Sequence, residues 1–459
     1  MKSNFYVPSS FRDPSGSLFF DNGILLRRVN NLYKNNYELL MNSDLYKILV
    51  QKKLLISHKE IVFKKKGKEV YKLIQPQFIP FISYPYEWCF SQLKDAALLT
   101  LKIQKISLRY GMTLKDSNAW NIQFFRGKAI FIDTLSFEKY KEGSPWIAYK
   151  QFCQHFLAPL LLMAKKNTQL NQISKIFLDG IPLSLTSSLL PKRTYLNFSI
   201  LSHIHLHAQS QKYFGKKSFD FKRSIFNLNS MLGLINNLES LIYNLKLSRQ
   251  DTEWVNYYSN TNYSSTAFKH KKMIVSEFLK IAKPKKCVWD LGANEGVFSR
   301  LASEQRINTI SFDIDLLAVE KNYLKAKLDS DKYLLPLIID LTNPSPAIGW
   351  ENNERYSLIE RGPADCVLAL ALIHHLAISN NLPFVKIAEF FRKICQWLII
   401  EFVPKNDSNV KILLSSREDI FSDYLQENFE TEFSKYFKII NRKNIINSKR
   451  VMYLMKNLN

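Results

Sequence analysis

At 459 residues the chain exceeds what one hydrophobic core usually holds, so two domains are the first expectation. Its 46% hydrophobic and 23% charged residues are those of an ordinary globular protein, and its five scattered cysteines form no Cys-x-x-Cys pair, which sets aside a disulfide framework or zinc knuckle and fits a reducing cytoplasm. A net charge of +24 admits nucleic acid, anionic lipid or acidic polysaccharide, but the lysines are spread along the chain, and short runs such as 64–68 and 269–272 carry no nucleic-acid-binding signature; solvated surface is the first reading and a polyanion partner the second.

The first eight residues hold no apolar leader core, and the longest apolar stretches, such as 156–164, are far too short to cross a bilayer. No membrane insertion and a soluble, cytoplasmic protein are expected. Residues 81–88 read as a strand and 93–109 as an amphipathic helix, leading into a loop where Asp116 and Asn121 stand five apart. An apolar run over 129–132 then ends at Asp133. An Asp that orients an acceptor hydroxyl, an Asn that holds a metal and a second, metal-binding Asp about a dozen residues on follow one another in this order in kinases and small-molecule phosphotransferases.

By Asp116, Asn121 and Asp133 the N-terminal half resembles a kinase-like C-lobe. Leu114 replaces the usual histidine two before the first Asp, and Gly16, Gly23 and Gly67 lie too far apart for a Gly-x-Gly-x-x-Gly loop. None of Lys47, Lys52 and Lys53 stands out as the phosphate-contacting lysine. The resemblance implies an α+β, degenerate or repurposed kinase-like module, with an active phosphotransferase as an alternative.

Residues 141–165 place Trp146, Tyr149, Phe152 and Phe156 at helical spacing, most simply a buried helix. His203, His205 and His207 would share one face of a strand, a weak metal signal, though 201–210 reads equally well as helix. Residues 222–247 carry a helical apolar stripe, and the domain boundary is set near Leu247, giving 1–247 and 248–459. Tyr257, Tyr258 and Tyr263 precede a helix expected over 267–281 and are candidate lid residues over a cofactor.

The most informative stretch is Val288-Trp-Asp-Leu-Gly-Ala-Asn-Glu-Gly296, an apolar run that breaks into a glycine turn before a short helix over 297–302. Further β-like runs end at Asp313 (with Asp315 a nearby competitor), Asp340, His374–His375 and Glu401. Five such runs at helix-length intervals fit a parallel sheet with its ligand crevice at the strands' carboxyl ends. Pyrophosphate cofactors prefer loops of nearly pure glycine. Here Asp290, Asp313 and Asp340 dominate, which suits a cofactor with a sulfonium, an ammonium, a ribose diol and an adenine amine. Two last runs, 437–440 and 450–455, form a terminal hairpin.

By these residues the second half resembles the class I methyltransferases that use S-adenosylmethionine (SAM), and a Rossmann-like α/β sheet with a terminal antiparallel hairpin is expected. The resemblance implies that Asp290, Gly292 and Gly296 contact the methionine end of SAM, Asp313 the ribose and Asp340 the adenine. Asn294 replaces the family's middle glycine; asparagine tolerates left-handed backbone, and its side chain can reach the cofactor carboxylate. More narrowly, Ser83-Tyr-Pro-Tyr-Glu-Trp88, Thr113-Leu-Lys-Asp116, Phe131-Ile-Asp133 and 368–381 are similar to a bacterial two-part family of methyltransferase type with nodulation-associated members.

Methyl transfer needs an aligned acceptor, and a base where that acceptor is a hydroxyl. His374 and His375 are the catalytic candidates and Glu401 a second choice. No Asn-Pro-Pro-Tyr signature of nitrogen methylation is present, so O-methylation of a glycan or small-molecule metabolite is expected. The rival reading is a catalytically silent scaffold whose basic surface recruits a polyanion.

Overall fold

The computed structural model describes residues 4–62, 69–214, 227–247, 264–415 and 418–458. The chain divides into two compact units, Met1–Arg249 with Gly349–Arg355, and Gln250–Ile348 with Tyr356–Asn459.

The first unit opens with five strands: β1 (Asn4–Tyr6), β2 (Leu18–Asp21), β3 (Ile24–Asn30), β4 (His58–Ile61) and β5 (Val70–Pro76). They form an antiparallel sheet in the order β1-β2-β3-β5-β4, and helix α1 (Lys34–Asn42) follows β3 and buries Tyr37 and Leu40. Residues 81–88 differ from the expected strand: they carry a 3₁₀ turn, Pro85–Glu87. Pro85 has no N–H for a ladder, the Glu87 carboxylate accepts from the Tyr84 N–H at 2.9 Å, and the Trp88 indole donates to the Ser83 hydroxyl at 2.9 Å.

Helix α2 (Phe90–Arg109) follows, with Leu93, Ala97, Leu101, Gln104 and Leu108 turned inward. Two short antiparallel pairs come next, β6 (Met112–Leu114) with a later β9 and β7 (Ile122–Phe125) with β8 (Lys128–Phe131), the latter joined through Arg126 and Gly127, both left-handed as a tight hairpin requires. Strand β9 is Phe137–Lys139.

The buried helix expected over 141–165 begins only at Tyr149, leaving Trp146 ahead of it, and runs as continuous turns, Tyr149–Phe152, Cys153–Leu157 and Ala158–Lys165, the middle one a π-helical turn. The histidine segment is helical as well. His203 bonds Tyr149 at 2.7 Å and Asn237 at 2.8 Å, and His205 bonds Ser187 at 2.7 Å and Thr194 at 2.9 Å, so their ring nitrogens serve the core and not a metal. Among the described residues no group of three potential ligands converges on a metal site. Helix α3 (Leu228–Asn244) buries Met231, Ile235, Leu238 and Ile242. Tyr257, Tyr258 and Tyr263, the lysine run 64–68 and residues 222–226 lie outside the described residues.

The second unit begins with α4 (Ser265–Ala282), whose Ala267 N–H donates to the Ser264 hydroxyl. Then come β10 (Cys287–Leu291), α5 (Ser299–Ser303), β11 (Asn308–Asp313), α6 (Leu316–Leu328), β12 (Leu334–Ile338), β13 (Ala364–Ala369), α7 (Phe384–Ile394), β14 (Cys395–Phe402), β15 (Phe437–Asn444) and β16 (Val451–Asn457). The sheet order is β12-β11-β10-β13-β14-β16-β15, five parallel strands followed by the antiparallel β16 and β15. This is the class I methyltransferase sheet with its terminal hairpin.

The sequence explains the layout. Central β13 is covered on both faces and reads as an almost unbroken apolar run, Ala-Asp-Cys-Val-Leu-Ala. Edge strand β15 alternates exposed and half-buried residues and shows Lys438 and Asn444 to solvent, which blunts the edge. Val275 and Phe278 of α4 pack on Val288, Leu368 and Ile399 of the sheet and on Met452 and Leu454 of the hairpin. No helix among the described residues is long and apolar enough to cross a membrane.

The order reverses at β10, with β11 on one side and β13 on the other, which opens a crevice at the strands' carboxyl ends. The turn after β10 depends on Gly296, at φ +75°, where an added Cβ would lie 2.4 Å from the Asn322 amide, itself held by the Ser311 hydroxyl. Gly296→Ala is therefore expected to cost roughly 2–4 kcal/mol, backbone strain plus overpacking, and to lower Tm by several degrees in a calorimetric scan.

Candidate functional site

The crevice of the second unit is a cavity of about 400 Å³, walled by the loops that follow β10, β11, β12 and β13. Of the residues singled out from the sequence, Asp290, Gly292, Asn294, Asp313, Asp340 and His375 line it.

Asp290 ends β10, 2% exposed, and its Oδ2 accepts from the Ser299 hydroxyl at 2.6 Å. Burial, reinforced by the charge of Asp313, pushes its carboxyl up to about 7 against the opposing effect of Ser299 and Lys271. The turn that follows hangs on the Phe312 carbonyl, which accepts from the Gly292 and Ala293 N–H groups at 2.9 Å each. Asn294 adopts φ +48°, the left-handed backbone that a glycine would have provided. Its N–H donates to Asp313 Oδ2 at 2.7 Å, while its side-chain oxygen accepts from the Glu295 N–H.

Asp313 also accepts from the Asp315 N–H at 2.9 Å, and burial raises its carboxyl to about 6. The competition between the two acids is resolved by local geometry. Asp315 caps α6, accepting from the Leu317 and Ala318 N–H groups at 2.8 and 3.1 Å, and Asp313 faces the cavity. Asp340 closes a small turn by accepting from Thr342 N–H and Oγ1–H at 2.8 and 2.7 Å.

Three expectations are corrected. Gly296 lies outside the cavity wall and serves the packing of the turn on Asn322. The histidine pair splits: His375 lines the cavity, whereas His374 is buried behind it, with neither ring nitrogen bonded within the described protein and its ring 4.2 Å from that of His375. Burial depresses both imidazoles, His375 to about 4 and His374 well below its ordinary value, so both are neutral at pH 7. Glu401, the second choice as base, is fully buried and committed to two cations: Lys271 Nζ at 2.6 Å and Arg450 Nη1 at 3.5 Å.

Lys271 was not singled out by sequence reasoning. It sits on the buried stripe of α4 with Ala267, Ile274, Val275 and Phe278, is 3% exposed, lines the cavity, and places its ammonium 4.8 Å above the Phe298 ring. A lysine in phase with four apolar residues was the available signal. The loop after β13 contains Ala371 at φ +51°, a strained conformation for a residue with a Cβ, next to a π-helical turn, His375–Ser379.

In the first unit Asp116, Asn121 and Asp133 are brought together. The Asp116 carboxyl is raised by burial and by the charge of Asp133, and it accepts from the Asn118 N–H at 2.9 Å and from the Asn121 side chain. Asp133 takes the guanidinium of Arg27, another residue the sequence reading passed over, though it shares the inward face of β3 with Val29. None of the three lysines considered earlier fills that place.

Glu401→Gln leaves a buried ammonium without its counter-charge, and we expect a loss of roughly 3–5 kcal/mol in urea denaturation. Adding Lys271→Met to it should restore most of that loss.

No family model matches the chain. Among solved structures, it resembles the bifunctional kinase-methyltransferase WbdD at 14% identity and TM-score 0.30, the likeness covering 48% of this chain and 45% of that one, so it spans less than half of WbdD. It resembles the magnesium protoporphyrin IX methyltransferase ChlM of Synechocystis PCC 6803 at 15% identity and TM-score 0.31, over 44% of this chain and 93% of that one. The N-methyltransferase NodS of Bradyrhizobium japonicum WM9 gives 10% identity and TM-score 0.30, over 41% and 97%. The nodulation protein NoeA of Rhizobium meliloti (strain 1021) is 34% identical over 456 residues, which cover 97% of this chain and 95% of that protein. At that identity over nearly the whole of both sequences, the chain belongs to the family of nodulation protein NoeA, the two-part family its motifs resemble.

Proposed function

We propose that the second unit is a SAM-dependent methyltransferase acting on a hydroxyl of a glycan or small-molecule metabolite in the cytoplasm. The observation that carries this reading is the cavity at the sheet's reversal point, into which three successive strands send Asp290, Asp313 and Asp340. Burial raises two of these carboxyls to about 7 and 6 despite the donors they already accept from, so a ligand bearing an ammonium and a ribose diol would favour their ionised forms.

Asp290 with the Gly292–Asn294 turn would hold the methionine end, Asp313 the ribose hydroxyls and Asp340 the adenine amine. Bound SAM supplies a methyl group on an already activated sulfonium. What remains for the chain is to align the acceptor, exclude water with Phe268, Phe298 and Leu372, and receive a proton. His375 lines the cavity as a neutral imidazole placed to accept the hydroxyl proton; burial lowers its basicity, so alignment must supply most of the rate.

For the first unit, we read the five-stranded sheet with a helix after its third strand, the long α2 and the two small strand pairs around Asp116, Asn121 and Asp133 as a kinase-like module that presents the acceptor. A polyanionic partner for the net charge of +24 remains the alternative role for the basic surface.

Calorimetric titration of the full-length protein with SAM tests the cofactor: micromolar binding is expected, abolished in Asp313→Ala, and a wild type that does not bind overturns the reading. Affinity should climb between about pH 5 and 8 and flatten above about 8, because both carboxyls must lose protons with raised affinities before they can receive the ligand. Once an acceptor is found by a mass gain of one methyl, His375→Ala should lower kcat by roughly 10²–10⁴-fold. In the wild type kcat should stay flat with falling pH until about 4, while kcat/KM for SAM already falls through 7 to 6. An acid limb in kcat centred near 6.5 would count against His375 as the proton acceptor.

A further inference from the structure

We infer that the first unit carries an internal cation, the Arg27 guanidinium, where its Asp–Asn–Asp pattern would otherwise hold a divalent metal, and that these residues consequently take no metal-bound nucleotide. A carboxylate and an amide hold Mg²⁺ or Mn²⁺ through oxygen lone pairs that no other group has claimed. Here the carboxylate is already occupied by a cation and two further donors. Asp133 Oδ1 receives Arg27 Nη1 at 2.5 Å and the Leu135 N–H at 2.9 Å, and Oδ2 receives the Ser136 hydroxyl at 2.6 Å. The Asn121 amide nitrogen donates to the Ser136 hydroxyl at 3.3 Å and its side chain bonds Asp116, so the competition with a metal falls on Asp133. Burial acts to raise the Asp133 carboxyl, but Arg27, Ser136 and Leu135 together outweigh it and hold the group ionised.

The surrounding loop completes the arrangement. Asp13 comes from the segment between β1 and β2 and brings a second carboxylate to Arg27 at 3.6 Å, while Lys115 approaches Asp13 at 3.8 Å and donates to the Ser15 hydroxyl at 2.8 Å. Arg27 and Lys115 thus face Asp13 and Asp133, while Asp116 adds a third carboxyl beside Asp133, itself raised by burial and by that charge. Gly16 presses against β3 so closely that a Cβ there would meet the Arg28 carbonyl oxygen at 2.0 Å, so the glycine of this loop serves packing on the strand. Arg27 is 8% exposed, and a guanidinium does not shed its proton at any physiological pH. A divalent ion could enter only by facing that charge or by driving it from its carboxylates into a buried position with no counter-charge.

Manganese titration of the full-length protein, read by electron paramagnetic resonance with and without ATP, tests this independently of any methyl transfer. Wild type and Asp133→Asn should bind Mn²⁺ alike, with no site tighter than roughly millimolar, the weak end for carboxylate-held divalent ions. Arg27→Met, with both Asp133 and Asn121 retained, should gain a site about tenfold tighter or more, lost again when Asp133→Asn is added. Mn²⁺ or Mn²⁺·ATP binding by the wild type that Asp133→Asn abolishes would overturn the inference. So would a folded Arg27→Met that binds no better than wild type. If Arg27→Met does not fold, the comparison of wild type with Asp133→Asn decides alone.

Discussion

The second unit turns on a chain of four charges, the buried Arg450, Glu401 and Lys271 and the half-buried Asp407. Arg450 grips Asp407 through two nitrogens at 2.7 and 3.0 Å and reaches Glu401 at 3.5 Å, and Lys271 closes the other side of Glu401 at 2.6 Å. These residues come from the turn of the terminal hairpin, the end of β14 and its following loop, and the helix α4 that precedes the sheet. Apolar burial holds the same elements together, but it is non-directional and would accept a helix rotated by a fraction of a turn. Alternating charges at hydrogen-bonding distance would not, since each displaced partner leaves a desolvated ion. The chain therefore sets how α4 lies on the sheet, and with it the position of the one lysine that lines the cavity.

That dependence explains which parts were legible in the sequence. The seven strands of the second sheet, the acids at the ends of β10, β11 and β12, and the left-handed Asn294 were readable because each rests on a local rule: an apolar run, a turn, a loop residue at a strand end. Lys271 and Arg27 were not, because their partners, Glu401 and Asp133, lie more than a hundred residues away in the chain, and an ionised residue inside an element reads as surface until its counter-charge is known. Glu401 failed for the same reason in reverse; at the end of a strand it looks like a free base, and only the fold brings two cations to it. The histidine pair divided because adjacent residues entering a helical turn point in different directions, a difference of side-chain placement that residue identity does not encode. At 81–88 the aromatic run suggested a strand, and bonds local to Pro85, Glu87 and Ser83 won instead.

The two units treat their buried acids in opposite ways. Asp133 is held ionised by a guanidinium and two further donors supplied by its own unit. Asp290 and Asp313 are pushed up by burial to about 7 and 6, with Lys271 in the cavity wall already committed to Glu401. In one the key carboxylate already has its counter-charge as folded. In the other the two carboxyls are raised by burial, the condition of a site whose counter-charge arrives with a ligand.

This condition has a thermodynamic direction. A carboxyl whose folded value lies above its unfolded one binds its proton more tightly in the native state, so it favours folding below the unfolded value of about 4 and takes stability away as pH rises toward the folded value. For Asp290 and Asp313 that window runs from about 4 to about 7, and at neutral pH the pair costs the second unit on the order of a few kcal/mol. A ligand bearing an ammonium and hydroxyl donors reverses the sign, because it binds the ionised form that the fold alone disfavours. Asp133 runs the other way: its carboxyl is already lowered, its stabilisation persists down to acidic pH, and a further cation would have to compete with Arg27.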